Sequence, residues 1–170
     1  MRYLNAFAIA CLPLALSAAA CSSAEDPPAS CNLFNYNGFM AGATARTLDA
    51  DVFPILSNTT SCATVLSCHG GTAHPPSLGG AGVTAATVRA GIVGVNSTEV
   101  PTMKYVVPGA PQESYLMRKL ESTNPGCGLM CTPPVGVPDG CSTRMPSGMA
   151  NGLPADQIAI IRDWIKQGAN

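Results

Sequence analysis

The residues best suited to chemistry lie in a short stretch that ends in Cys68-His69-Gly70, with Cys62 a little upstream. A cysteine directly followed by histidine, with another cysteine shortly before it, is the pattern by which a chain attaches c-type haem. The two thiols add to the porphyrin vinyl groups, and the imidazole ligates the iron. The pattern usually places two residues between the cysteines, whereas five separate Cys62 from Cys68. A wider gap needs a bulge or an extra turn, so Cys68 and His69 carry most of this prediction.

These residues also allow other interpretations. Cys62 and Cys68 could form an ordinary disulfide with each other. A site with a single thioether through Cys68 is also conceivable, since the usual spacing would put the first cysteine at Val65. His74 is a second imidazole, but it follows His69 too closely in the chain to reach the opposite face of a haem.

The N-terminal residues predict export. A basic start, a short apolar run over residues 6–16 and a group of small residues before Cys21 are typical of a secretory signal peptide over residues 1–20. A cysteine directly after such residues also resembles a bacterial lipobox, although Ala18 stands where a larger aliphatic residue is favoured. We therefore expect Cys21 to be lipidated, residues 21–47 to be a lipid-anchored linker and N-terminal loop, and the domain at 48–170 to face the periplasm or the cell surface. The alternative is a plain secreted protein in which Cys21 is an ordinary thiol.

The composition argues against nucleic acid as a partner and indicates a core that needs cross-links or a cofactor for stability. The formal net charge is −1 and only 11% of residues are charged, so the chain has no basic cluster to neutralise nucleic-acid phosphates. Aromatic residues make up 5%, whereas the chain contains 17 glycines and 15 prolines. So few large side chains build a core with difficulty, and disulfides, a buried cofactor or both are expected to help.

The number of cysteines is compatible with both disulfides and a covalently bound cofactor. Cys11 would leave with the signal peptide and Cys21 would carry lipid. If Cys62 and Cys68 hold haem, four cysteines remain that can form two disulfides with three possible connectivities: Cys31, Cys127, Cys131 and Cys141. Without haem, six cysteines can pair in 15 ways. Zinc held by the three late cysteines is a further alternative, which export makes less favoured than disulfides.

Apolar periodicity predicts a mainly helical fold with long loops. The predicted helices cover 48–56, 84–92, 111–120 and 153–168, and 102–107 is expected to be extended. The last helix has the clearest signals, with Pro154 at its start, Gly168 as its stop and one apolar face formed by Ile158, Ile161, Trp164 and Ile165. Residues 124–143 form a loop too long to be left without cross-links in a compact domain.

The order of these features resembles the cytochrome c-like domain of many bacterial exported lipoproteins. The features are an early helix, Cys68-His69-Gly70, Gly/Pro-rich loops, a Pro-Gly-x-Pro-x-x-Ser-Tyr-Leu segment from Pro108, Arg144-Met145-Pro146 and a final helix with tryptophan. In such domains the first and last helices cross near one haem edge, and a late methionine supplies the sixth ligand. The resemblance implies His69 as proximal ligand, Met145 as distal ligand, and Cys62 and Cys68 as thioether carriers. Other methionines compete with Met145 for this role: Met103, Met117, Met130 and Met149.

The sequence therefore predicts an electron carrier rather than an enzyme, with one covalent haem c, an unidentified redox partner protein and a membrane contact through the lipid anchor. The alternative is a haem-free domain, stapled by disulfides, that acts as an interaction or structural module. A third hypothesis is a subunit that contributes its haem to a larger oxidoreductase.

Overall fold

A computed structural model describes residues 31, 33–58, 60, 62–63, 68–71, 74–132, 141, 143–147, 149 and 151–170. The predicted signal peptide and Cys21 lie outside the described residues. All regular elements in the described part are helical: a π-helix at Leu48–Val52, α1 at Phe53–Leu56, α2 at Ala85–Ile92, a 3-10 helix at Pro111–Glu113, α3 at Tyr115–Glu121 and α4 at Ala155–Lys166. None of the helices described is long and apolar enough to cross a membrane.

The mainly helical class predicted from the sequence is confirmed for this part of the chain. Within the same residues no strand is present, and the segment predicted to be extended makes only isolated bridges. Val106 pairs with Val93, and Lys104 pairs with both Asn96 and Ser114. These bridges connect the segment after α2 to the start of α3, so they position one wall of the site described below.

The first helix forms where predicted, but it changes from π-helical to α-helical geometry at Phe53. Thr47 caps its start, because the Thr47 hydroxyl accepts the N–H of Ala50 at 3.2 Å. Pro54 lies in the first turn of α1, where its missing N–H is not needed.

Thr84 begins α2 as expected, through a capping box with Thr87. The Thr84 hydroxyl accepts the N–H of Thr87 at 3.3 Å, and the Thr87 hydroxyl accepts the N–H of Thr84 at 2.9 Å. The helix ends at Ile92, and Gly94 follows it with a φ of 74°. The capping fixes α2 so that Val88 and Ile92 are buried in the core.

The helix predicted over 111–120 is divided in two. Ser114 is extended, with φ −88° and ψ 120°, and separates the 3-10 turn from α3. The Ser114 hydroxyl accepts the N–H of Val107 at 2.9 Å and donates to the carbonyl of Ala110 at 3.0 Å. A serine side chain that bonds backbone groups in this way competes with continued helix. α3 then buries Tyr115, Met117 and Leu120.

α4 agrees with its prediction. Its buried residues are the four predicted: Ile158, Ile161, Trp164 and Ile165. The indole N–H of Trp164 donates to the carbonyl of Asn170 at 2.9 Å, and Gly168 ends the helix with a φ of 106°. The chain terminus folds back onto the first helix, because the N–H of Leu48 donates to the carbonyl of Asn170 at 3.3 Å.

Residues ahead of the first helix also pack against α3 and α4. The Arg162 guanidinium forms an ion pair with Glu121 at 2.6 Å and lies over the Phe34 ring, 3.7 Å from its centroid. The Tyr36 hydroxyl donates to Glu121 at 2.7 Å, and the Gln167 amide donates to the carbonyl of Thr44 at 2.9 Å. These contacts attach the segment from 33 to 47 to the helical body.

Two disulfides join the four cysteines that were predicted to form them. One connects Cys31 to Cys127, across 96 positions, and the other connects Cys131 to Cys141, across 10 positions. The first ties the N-terminal segment to the loop after α3, and the second closes a local loop. The predicted disulfide support is therefore present.

Candidate functional site

The structure brings the four predicted site residues to the wall of one cavity: Cys62, Cys68, His69 and Met145. Leu56 of α1, Ile92 of α2 and Leu120 of α3 supply apolar walls from three helices. Two loops complete the lining, one with Pro75, Pro76 and Leu78 and the other with Pro146 and Ser147. Packed helices therefore fix one side of the cavity, and the four predicted site residues come from loops.

The His69 backbone is held from both directions. Its N–H donates to the carbonyl of Cys62 at 3.3 Å, and its own carbonyl accepts the N–H of Leu78 at 2.8 Å. Gly80 allows the loop to close, because it has a φ of 104° and a Cβ at this position would collide with the backbone carbonyl of Gly70. The Gly-rich sequence around the histidine thus serves close packing of a loop upon itself.

The His69 ring has a defined tautomer. Its Nδ1 lies 2.9 Å from the carbonyl oxygen of Pro76 and 3.0 Å from that of His74. Carbonyl oxygens only accept hydrogen bonds, so Nδ1 carries the proton and Nε2 of the neutral ring carries the lone pair. Burial lowers the pKa of His69, although the two carbonyl bonds oppose that shift. This arrangement leaves the Nε2 lone pair available to coordinate a metal ion.

The Met145 loop is attached to the C-terminal end of α3. The Met145 N–H donates to the carbonyl of Lys119 at 2.7 Å, and the Arg144 Nε donates to the carbonyl of Leu120 at 3.0 Å. These carbonyls belong to the last turn of the helix, where such groups lack intrahelical partners. Gly152 leaves room for the guanidinium, since a Cβ there would lie 2.8 Å from the Arg144 Cζ. Met145 is therefore positioned by its backbone.

The other candidate methionines lie elsewhere. Met117 is only 1% exposed within the core, and Met103 packs against that core. Met130 is 90% exposed and Met149 is 39% exposed. Among the five, Met145 alone appears in the described lining of the cavity with His69.

Cys62 is buried and Cys68 is half-buried, and they belong to neither of the two disulfides. Cys127, Cys131 and Cys141 are disulfide-bonded, which rules out the alternative in which their thiolates hold zinc. Across the described ranges, no group of three or more His, Cys, Asp or Glu side chains is arranged to hold a metal ion.

One polar part of the wall was not anticipated from the sequence. Glu99 Oε2 accepts a hydrogen bond from the Tyr115 hydroxyl at 2.7 Å and lies 3.3 Å from Lys119 Nζ. All three residues line the cavity. Burial lowers the pKa of Lys119, while Glu99 opposes that shift, and burial with the Glu99 bond raises the pKa of Tyr115. The available signal was the i,i+4 spacing of Tyr115 and Lys119, which puts the lysine beside the apolar face of α3.

The donor atoms of His69 and Met145 suit a haem, but the cavity is too small to hold one as it stands. An imidazole nitrogen and a thioether sulfur are a known axial pair for haem iron, and the wall around them is largely apolar. The cavity has a volume of about 60 Å³. Cofactor pockets measure roughly 300–1,000 Å³, so a macrocycle requires outward movement of a wall.

Comparisons of this chain with protein-family models, with curated proteins and with solved structures found no match. The case for a function therefore depends on the residues and geometry of this cavity. The decisive elements are the fixed His69 tautomer, the attached Met145 loop and the two cysteines beside them.

Proposed function

We propose that this chain carries single electrons by means of one covalently bound haem c held in the cavity. The observation that carries the proposal is that His69 and Met145 line the same apolar cavity, with the His69 Nδ1 already engaged by two backbone carbonyls. His69 Nε2 and the Met145 sulfur would hold the haem iron. When bound, the haem would supply a one-electron iron couple, whose potential this ligand pair raises relative to two imidazoles.

The cysteines would attach the group to the chain. Each thiol would be joined to the haem by a thioether bond to one of its vinyl groups. Cys68 directly precedes His69, and its attachment is therefore coupled to the position of the imidazole. Cys62 accepts the N–H of His69 at its carbonyl, 3.3 Å away, which keeps it next to this loop despite the longer spacing. Both thioethers are accordingly included in the proposal.

The remaining wall residues exclude water and keep the ligands in place. Leu56, Ile92 and Leu120 present apolar surface from three helices. Pro76 orients the imidazole through its carbonyl, and Arg144 holds the backbone that carries Met145. An apolar surround of this kind is one of the means by which a chain adjusts a metal centre.

The wider molecule supports a cytochrome c-like domain at 48–170 on an exported, lipid-anchored protein. The terminal residue bonds the first helix, which is compatible with contact between first and last helices near the site. The two disulfides fit an oxidising compartment outside the cytoplasm. Lipidation at Cys21 and a separate redox partner protein are further parts of the proposal. We propose no substrate turnover at this site. If the chain were a subunit of a larger oxidoreductase, the protein that receives the electron would differ, but the haem site would be the same.

The test is covalent haem retention. The chain from Cys21 onward is expressed with a cytochrome c maturation system, denatured, and examined as the reduced pyridine haemochrome. We expect retained haem with the band position of two thioethers. His69→Ala should abolish attachment or low-spin ligation, whereas the matched control His74→Ala, with only its backbone carbonyl engaged by His69, should retain both.

Separate Cys62→Ala and Cys68→Ala variants then report each thioether. Each should shift the haemochrome band to the one-thioether position. A wild-type chain that retains no haem after denaturation would refute the proposal, and an unchanged band in Cys62→Ala would limit it to a single thioether through Cys68.

The small volume of the cavity favours one other function, a haem-free domain cross-linked by its disulfides. At about 60 Å³ the cavity is well below the roughly 300–1,000 Å³ of cofactor pockets, so the core packs without a cofactor. In that case the maturation system should leave the chain colourless, and its unfolding midpoint should be the same with and without that system.

A further inference from the structure

The Glu99–Lys119–Tyr115 group places two charged side chains in the wall of a largely apolar cavity. The Lys119 side chain is 7% exposed and that of Glu99 is 17% exposed. Withdrawing an ammonium and a carboxylate from water costs several kcal/mol for each ion, and their mutual attraction often does no more than offset that cost. Stability alone is therefore a poor explanation for a charged pair at this position.

The geometry of the group is that of a carboxylate site. Lys119 and Tyr115 lie one turn apart on α3, and both are directed at the same oxygen, Glu99 Oε2. An ammonium and a phenol that converge on one oxygen form charge-assisted hydrogen bonds, which are the stronger kind. Glu99 belongs to the segment between α2 and the 3-10 helix, outside every described helix. The two donors are thus fixed by a helix, whereas the acceptor is carried by a loop.

We propose that Lys119 and Tyr115 form a binding site for a carboxylate of the ligand that enters this cavity, and that Glu99 occupies this site until the ligand replaces it. The ligand class is an apolar ring system or chain that bears a carboxylate, which includes a haem propionate. This inference uses the cavity of the proposed haem site and does not depend on covalent attachment.

Two physical consequences make the exchange favourable. Replacing one carboxylate by another keeps the local charge of the site unchanged, so Lys119 never remains buried without an anion. Outward movement of Glu99 also removes a side chain from a cavity of about 60 Å³, which widens it on the side where the ligand's polar end would lie. The partly exposed Glu99 carboxylate regains water when it moves out.

The test measures binding of protoporphyrin IX and of its dimethyl ester to the chain expressed without the maturation system, by fluorescence. The wild-type chain should bind the diacid about 10-fold or more tightly than the ester, because hydrogen bonds to charged groups contribute about 1.5–3 kcal/mol. Lys119→Met should remove that preference. Glu99→Gln should act in the opposite direction and tighten binding of the diacid several-fold, because it weakens the internal competitor without removing the donors.

Folding is controlled with the double variant Glu99→Gln/Lys119→Met, which removes both charges together and avoids a buried unpaired ion. It should have the unfolding midpoint of the wild type and no preference between diacid and ester. Failure of the wild-type chain to bind either compound, or equal affinity for both, would overturn the inference. Loss of diacid binding in Glu99→Gln to the extent seen in Lys119→Met would also overturn it, since Glu99 would then be a partner of the ligand rather than its placeholder. A chain that discriminates diacid from ester but retains no covalent haem would refute only the proposed function.

Discussion

His69 and His74 are five positions apart, and the loop that contains both orients the ring of His69. The His69 Nδ1 bonds two carbonyl oxygens, and one of these belongs to His74 itself. The second histidine therefore contributes its backbone to the orientation of the first. Neutral imidazole with its proton on Nδ1 is the form that offers Nε2, and burial favours the neutral form. The orientation of the His69 ring comes from local folding of the loop.

The proposed role of Met145 as the second ligand of the haem iron can be tested directly. In the haem-loaded chain, Met145→Ala should abolish the methionine-to-iron charge-transfer band at the red end of the spectrum. It should also lower the reduction potential, because a thioether ligand stabilises the reduced iron. Absorption spectroscopy and redox titration measure the two effects.

Met149→Ala is the matched control, since Met149 is 39% exposed and does not line the cavity. Its spectrum and potential should equal those of the wild type. Persistence of the band in Met145→Ala would assign the distal position to another residue and remove Met145 from the site.

At the scale of elements, the loop from 69 to 80 depends on close backbone approach. Gly80→Ala places a Cβ against the carbonyl of Gly70 while φ remains at 104°. We expect a loss of about 1–3 kcal/mol in the free energy of unfolding, from backbone strain together with displacement of the loop. The His69 N–H, which bonds Cys62, should exchange with solvent faster because the loop is displaced.

Gly82→Ala separates these two causes. Gly82 has a φ of 78°, but a Cβ there would meet no heavy atom within 4 Å. This variant should show the cost of the left-handed backbone conformation alone, about 1–2 kcal/mol, with unchanged exchange at His69. Urea unfolding and amide hydrogen exchange provide the readouts, and equal effects of the two variants would contradict the role of the Gly70 contact.

The sequence predicted the features of the fold that depend on neighbouring residues, and it missed those that depend on residues brought together by folding. The face of α4 and the capping of α2 by Thr84 depend on residues within a few positions, and both were predictable. The division at Ser114 depends on bonds to Val107 and Ala110, which only the folded turn brings together. Glu99 and Lys119 form one wall but come from segments 20 positions apart in the chain. Apolar periodicity could therefore indicate only that Lys119 lies beside the apolar face of α3, and not that it meets Glu99.

At the scale of the whole molecule, the segment before the first helix is held at several points. Ser122 donates to the carbonyl of Cys31 at 3.3 Å, and the adjacent disulfide runs to Cys127. The Arg162 guanidinium lies between Glu121 and Phe34. The sequence predicted only a linker and loop there, because neither the cation–π contact nor the disulfide partner can be deduced from local sequence. What appeared as a linker is therefore tied to α3 and α4 from residue 31 onward.

The two disulfides should differ in their contribution to stability because they close loops of different length. Under the chain-entropy description, a cross-link restrains the unfolded chain more as the loop grows. The sequence separations are 96 for Cys31–Cys127 and 10 for Cys131–Cys141. We expect the free energy of unfolding to fall by about 4.7 kcal/mol in Cys31→Ala/Cys127→Ala and by about 2.7 kcal/mol in Cys131→Ala/Cys141→Ala.

Urea unfolding of both double variants, each in the haem-free chain so that ligation does not add to stability, measures this difference. The local pair is the control for the long-range pair, because each variant removes two thiols and one covalent bond. Losses of equal size, or a greater loss for the local pair, would show that native contacts of the cysteines outweigh restraint of the unfolded chain. A greater loss for the long-range pair would show that restraint of the unfolded chain dominates, so that the bond between Cys31 and Cys127 stabilises the whole fold by limiting the conformations of the unfolded state.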